Sequence, residues 1–407
     1  MNTLGLRKSQ SCEPSRFNSN QQRNFKADPR KFSKALFEKK NCGEPDFPEQ
    51  KAFDYFSSLY RDEARGDSVN SMPDMKSPAA PKHLLPEQPP SLEEIKSAIH
   101  SKRNAAAPGL DGITYVPYKR CPAILPVLVK VFDKIWQSKE IPASWAEASI
   151  QLLPKSQVLT EPSEFRPIAL TNTIGKIFFA VVAKRLENFM ISNKFLSTVQ
   201  KGFKANTPGC LEHSFAMFEA LLDAKSNQRQ IVVSWLDLKN AYGSVRHNLI
   251  QFALHWFHQP QSIRELIFDY YDKICAQKRV GASRTKFFLF DIGLFQGCVL
   301  SCILFNCVFQ LLLDLVNPLA LEHGYHFKDI PTVLHDQAFA DDLSITSSTP
   351  ELNQRTIDVV VRFLKWYRLQ ANPKKCICMA MKKFDPRYES KYDRYGDTVY
   401  TAPMTLR

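Results

Sequence analysis

Asp341 and Asp342 stand side by side in Ala338-Phe339-Ala340-Asp341-Asp342-Leu343-Ser344-Ile345, between apolar residues that alternate as half-buried strands do. Asp-Asp favours a tight turn, so the spacing predicts a hairpin with both carboxylates at its tip and Phe339, Leu343 and Ile345 on a sheet's inner face. Such a pair by itself is more often the punctuation of a solvated surface turn. A third acid shifts the balance. Asp237 closes the run Ile231-Val232-Val233-Ser234-Trp235-Leu236, which is rich in β-branched and aromatic residues. A lone charge where a buried strand runs out is costly unless neutralised, and three clustered acids repel one another unless a cation lies between them. Magnesium suits the donors: it is hard, prefers oxygen, and is commonly held by one or two carboxylates together with substrate phosphates. The implied chemistry is phosphoryl transfer with two metal ions roughly 3.5 to 4 Å apart, manganese being a possible substitute.

Positioning these acids requires a scaffold, and the remaining pattern supplies one. Apolar residues recur at helical spacing over Leu92 to His100, Ile124 to Trp136 and Ile174 to Met190. Leu152-Leu153-Pro154 and Pro167-Ile168-Ala169-Leu170 read as the arms of a hairpin turning at Glu161-Pro162-Ser163, bracketed by Lys155 and Arg166. Cations so placed can grip phosphate oxygens, Arg166 bidentately and Lys155 as a compact charge, although either alone is also an ordinary surface residue. Val299 to Val316 is apolar on most sides, and the Ser301, Asn306, Gln310 and Asp314 within it argue for a buried core helix against a membrane span. Asp237 and the Asp-Asp pair are about 100 residues apart, so the fold must set them on neighbouring strands.

Together these motifs resemble a known family. Phe339-Ala340-Asp341-Asp342 is similar to the metal-binding hairpin of reverse transcriptases, and Asp237-Leu238-Lys239-Asn240-Ala241-Tyr242 to their first aspartate strand. Gly293-Leu294-Phe295-Gln296-Gly297-Cys298-Val299-Leu300-Ser301 resembles the Gln-Gly turn and helix that follow. Ala107 to Gly112, Leu153 to Lys155, Phe165 to Ile168, Gln200-Lys201-Gly202-Phe203 and Asn372 to Cys376 match further pieces in the family's order. The resemblance covers about residues 91 to 381 and is to the enzymes of non-LTR (LINE-type) retrotransposons, close to those of group II introns.

The resemblance implies an α+β, right-hand polymerase fold with fingers and palm, an antiparallel palm sheet backed by helices, and RNA-directed DNA polymerase activity. Its partners would be an RNA template, a DNA or RNA primer and dNTPs. Asp237 and Asp341 correspond to the direct metal ligands and Asp342 to a supporting acid near the primer end. Tyr242 corresponds to a steric gate whose ring would collide with a 2′-hydroxyl; a core aromatic is its ordinary alternative. Gln296 and Gly297 correspond to the turn against which the incoming nucleotide packs, and Lys155 and Arg166 to the cations on its triphosphate. Lys375 corresponds to the general acid for pyrophosphate, with Lys374 beside it; alternation along an expected strand would let only one of the two face the site. Pro108-Gly109-Leu110-Asp111-Gly112 is either a template-side loop or a connector.

Within this frame, residues 1–65 form a basic arm with a short helix near 51–62, residues 66–90 a proline-rich linker, 91–225 the fingers, 226–381 the palm, and 382–407 a tail leading toward a primer grip. The chain departs from the family in showing no thumb, endonuclease domain or Cys/His nucleic-acid module, and in carrying Gly243 where many relatives have an acid. A truncated, catalytically silent nucleic-acid-binding relic is therefore the competing expectation. The 54 Lys and Arg against 41 Asp and Glu give a formal charge of +13, which suits a polyanionic partner. Residues 1–40 hold ten of these cations against three acids. The ten cysteines lack zinc-site spacing and read as thiols of a reducing compartment, and the charged, polar start shows no signal peptide. The expected setting is intracellular, with nucleus or cytoplasm and the oligomeric state left open; no membrane is implied.

Overall fold

The computed structural model describes residues 47–155, 160–204, 207, 209–280, 283–381 and 399–403. The basic arm up to residue 46 and the tail from 382 to 398 lie outside them. The described chain opens with α1 (Glu49–Leu59), which buries Phe56; Phe56 stacks on Phe288 with ring centres 5.9 Å apart, and the following Tyr60 stacks on Phe290 at 3.8 Å. Residues 66–90 contain no helix or strand. They are strapped down by hydrogen bonds, for Arg185 donates to the carbonyls of Pro86, Gln88 and Pro89, and Asn193 accepts the backbone N–H groups of Lys82 and His83.

Helix α2 (Leu92–His100) starts where Ser91 and Glu94 form a reciprocal capping box, and it buries Ile95 and Ile99 one turn apart. After α3 (Val116–Arg120), α4 (Ile124–Ser138) and α5 (Ala143–Ala146), the strands β1 (Glu147–Pro154) and β2 (Phe165–Thr171) pair antiparallel, with Leu153 opposite Arg166. The long α6 (Thr173–Ser192) and α7 (Cys210–Ser226) follow, then β3 (Ile231–Leu236), α8 (His247–Trp256) and α9 (Gln261–Lys273). The strands β4 (Cys275–Val280), β5 (Ser283–Arg284) and β6 (Phe288–Leu289) join the β1–β2 hairpin in one sheet, β4 running parallel to β1 through Ala148 and Ala276. Stacking of α1 on Phe288 and Phe290 closes that sheet's end.

Helix α10 (Val299–Val316) has fifteen of its eighteen residues buried, so although it is long and apolar enough to cross a membrane it is a core element of this fold. Helix α11 (Ala320–His323) and the pair β7 (Tyr325–His326) and β8 (Val333–Leu334) lead into β9 (Asp336–Phe339) and β10 (Asp342–Ser347). Helix α12 (Pro350–Tyr367), β11 (Ile377–Met381) and β12 (Val399–Pro403) complete a wholly antiparallel sheet in the order β12-β11-β3-β10-β9. Asn353 on α12 bolts that helix beneath the sheet, accepting from Ser234 Oγ on β3 at 2.6 Å and donating to Ile345 O on β10 at 3.1 Å.

The acidic hairpin differs from the expected one. Its turn is Ala340-Asp341, and Asp342 is already the first residue of β10, directly opposite Phe339. Cross-strand partners share a face, so Phe339 lies on the side of Asp342 and is 39% exposed, while Leu343 and Ile345 are buried on the other side. The cysteines also divide: Cys298, Cys307 and Cys376 are buried free thiols, whereas Cys121 and Cys210 are exposed.

Candidate active site

Asp237 stands one residue beyond β3, where a later segment takes over its backbone. Asn372 N–H donates to Asp237 O at 2.8 Å, Lys239 N–H donates to Gln370 O at 2.8 Å, and Asp237 N–H points at the Cys376 sulfur 3.5 Å away. The antiparallel register sets Leu236 opposite Leu343, so the next position along brings Asp237 beside Asp342. Asp341 is half-buried in the turn, held in place by a chain that meets it from β9 with Ala340 in the left-handed region.

The two acids of the hairpin feel their acidic neighbours. Burial raises the Asp341 carboxyl above the ordinary carboxylate range, and Asp342 and Asp237 push it further. Asp342 is raised by burial and by Asp237, with Lys375 pulling the other way. A group of carboxylates that hinder one another's ionisation is short of positive charge. Lys375 Nζ, 3.8 Å from Asp237 Oδ2, is a nearby cation, yet its side chain is 67% exposed and screened. Among the described residues no three His, Cys, Asp or Glu side chains converge into a ready-made metal cage. The donor set fits instead a hard divalent cation that takes one or two carboxylates and completes its shell with phosphate oxygens and water.

The cations come from the β1–β2 hairpin and from the loop before β11. Lys155 N–H donates to Glu164 O, and its Nζ donates to Ser163 O at 2.8 Å, folding the side chain back along the hairpin. Partial burial holds the Lys155 ammonium below its usual range, and Arg166 and Lys375 add to the effect. Lys155, Arg166 and Lys375 are the positive counterpart of the three acids. Lys374 and Lys375 do not lie on a strand, contrary to the alternation expected for them: Pro373 to Lys375 form a turn, tightened by Lys375 N–H and Cys376 N–H bonding back to Asn372 O, and β11 begins only at Ile377. Of the pair, Lys375 is the one that reaches Asp237 and lines the site.

Tyr242, just downstream of Asp237, opens a tight 3₁₀ turn that runs to Ser244. Its ring stacks on Phe305 of α10 with centres 4.7 Å apart and planes 8° from parallel, and meets Phe203 edge-on at 5.6 Å. Its hydroxyl is buried with no oxygen or nitrogen partner, against the Cys302 thiol, so its pKa is raised. A Cβ on Gly243 would meet only the end of the Asn240 side chain, at 2.3 Å, which can swing aside, whereas Gly293 packs on the Gly243 backbone itself. His247 Nε2 lies 3.0 Å from Gly293 O, and burial pushes that imidazole down to about 4. Gly293 N–H donates to Val245 O and Leu294 N–H to Tyr242 O, fixing the Gln-Gly turn to the tyrosine. Gln296 O accepts from Ala169 N–H at 2.7 Å, and Gly297, at φ +110°, leaves no room for a Cβ, which would sit 2.9 Å from Ala169 O.

Lys155, Arg166, Asp237, Tyr242, Gln296, Gly297, Asp341, Asp342 and Lys375 all line one cavity of about 720 Å³. Phe203, Ser301, Cys302 and Asn372 line it too, although the sequence assigned them no role in the site; Phe203, Ser301 and Asn372 sit inside the motifs marked there, which was the available signal. A second groove of about 490 Å³, walled by Met217, Trp235 and Phe339, meets the first at Asp237, Asp342 and Lys375. A third cavity of about 610 Å³, carrying Lys102 and Lys204, meets it at Phe203 and Cys302.

Comparison with known proteins identifies the family. The family profile described as reverse transcriptase (RNA-dependent DNA polymerase) matches residues 153–392, more than half of the chain. The chain is 26% identical over 294 residues to a Retrovirus-related Pol polyprotein from type-1 retrotransposable element R2 of Nasonia vitripennis, covering 72% of this chain and 27% of that protein. It is 27% identical over 314 residues to a Probable RNA-directed DNA polymerase from transposon BS of Drosophila melanogaster, covering 74% and 33%. The chain thus spans about a third or less of these relatives' length. Among solved structures it is similar to apo telomerase from Candida tropicalis truncated from its C-terminal domain, with a TM-score of 0.43, 11% identity, and coverage of 65% of this chain and 62% of that one. With the family profile extending from the end of β1 to beyond β11, the chain belongs to the reverse transcriptases, of the kind found in non-LTR retrotransposons.

Proposed function

We propose that this chain extends a primer on an RNA template, transferring a deoxynucleotide from its triphosphate to the primer 3′-hydroxyl. One observation carries this: three acids short of positive charge and three cations share a single cavity with an aromatic floor. Reverse transcriptases generally use divalent metal ions, and magnesium held at the acids would activate the attacking hydroxyl and offset charge on the departing pyrophosphate. Asp237 and Asp341 supply its ligands, with Asp342 in support at the mouth of the adjoining groove, where the primer end enters past Trp235 and Phe339. Lys155 and Arg166 bind the triphosphate, and Lys375 Nζ delivers a proton to the leaving pyrophosphate. The Tyr242 ring, braced by Phe305, acts as the gate against a ribonucleotide's 2′-hydroxyl, a role its rigid stacking supports. The template strand approaches through the cavity of Lys102 and Lys204.

Primer extension on poly(rA)/oligo(dT) with magnesium tests this. The parent chain incorporates dTMP, and Asp341→Ala lowers the rate by about 100-fold or more. A parent no more active than the Asp341→Ala/Asp342→Ala double variant would sink the proposal.

A further inference from the structure

Gln200 opens the motif Gln200-Lys201-Gly202-Phe203, and the chemistry proposed above gives it no role. Its side chain is almost fully buried, 1% exposed. Nε2 donates to Ala340 O at 3.0 Å, while Oε1 accepts from Ala340 N–H and from Gly202 N–H, each at 2.8 Å. One amide therefore grips both backbone groups of a single residue, as a neighbouring strand would. It does so beside β9, the last strand of the sheet, where Lys201 N–H also donates to Ala338 O and Ala338 N–H to Val199 O. Gly202 permits the close approach, since a Cβ there would stand 2.1 Å from Ala340 N. Ala340 has φ +56°, a left-handed conformation that alanine keeps only where its surroundings over-determine it. The next residue is Asp341.

We infer that Gln200 is a positioning residue for the metal-binding centre, its amide locking the Ala340 peptide in the left-handed turn and so fixing where the Asp341 carboxylate stands before any cation arrives. The inference rests on the reading of Asp341 as a metal ligand. Preorganisation of this kind matters because the three acids repel one another in the metal-free chain and would otherwise spread apart.

The test follows Mn²⁺ binding through the free-ion spin-resonance signal, with primer extension in parallel. Gln200→Met keeps the volume and removes the amide. It should weaken Mn²⁺ binding and lower kcat by about tenfold or more, with the KM for dTTP held within about twofold, as displacement of a reacting group does. Gln200→Glu gives an independent reading. As a protonated acid it can donate to Ala340 O and accept as glutamine does, but as a carboxylate it cannot donate. Its Mn²⁺ affinity relative to the parent should therefore recover as pH falls from about 8 to about 6. Parent-like Mn²⁺ binding and kcat in Gln200→Met, or a Gln200→Glu ratio that does not change with pH, overturns the inference; if the Met variant misfolds, the pH ratio decides. Asp341→Ala that binds Mn²⁺ as tightly as the parent removes instead the metal-ligand reading, and the inference with it.

Discussion

Without a cation, Asp341 and Asp342 work against the fold. Both carboxyls have pKa values above those of the unfolded chain, so protonation favours the folded state, and that contribution is lost as pH rises through the folded values. At neutral pH with chelator, Asp341→Asn should therefore melt a few degrees above the parent. Magnesium should raise the parent's Tm and leave the variant's nearly unmoved. A variant that melts below the parent in chelator would contradict the electrostatics described here. Tyr242 divides into a ring and a hydroxyl with separate fates. Tyr242→Ala should admit ribonucleotides, whereas Tyr242→Phe, which retains the ring stacked on Phe305, should not; competition between dTTP and UTP in the extension assay reads both. Equal sugar selectivity in the parent and Tyr242→Ala would remove the gate role.

At the scale of elements, the site is held by contacts far apart in sequence and made largely by backbone. Gly297→Ala forces a side chain into a left-handed position against Ala169 O and should cost about 1 to 3 kcal/mol, loosening the Gln-Gly turn from β2 and raising the dNTP KM. Gly293→Ala, at φ +96° and with its Cβ 2.8 Å from the Gly243 backbone oxygen, should destabilise the chain by a similar amount of about 1 to 3 kcal/mol. Urea melts and steady-state kinetics check both. Chemistry-bearing residues were legible in the sequence because carboxylates and cations are conspicuous beside strands. What holds them was not. Propensity favours Asp-Asp as the turn, yet the Gln200 amide imposes Ala340-Asp341; no local pattern announces that residue 372 completes the backbone of residue 237, or that β4 joins β1 in parallel. The helices were readable in advance because their signals are local: apolar periodicity in α2 and α4, and a long run apolar on most sides in α10.

For the whole molecule, the proposed function would use the three cavities, which meet at the acids and at Phe203, as separate approaches for nucleotide, primer and template. If Lys102 and Lys204 neutralise template phosphates, replacing each by alanine should weaken binding of an RNA–DNA duplex for all sequences alike and reduce the slope of log affinity against log salt by about one. An unchanged slope would place the template elsewhere. The clasp between Asp237 and the segment ending at Cys376 also sets a clock for synthesis. These partners are 139 residues apart, and at about 5 to 20 residues per second the ribosome needs roughly 7 to 28 s to deliver the second after the first. Through that interval the first aspartate has emerged with no partner for its backbone. If the proposed function holds, no nascent chain can complete its first catalytic acid's surroundings before residue 376 has been translated.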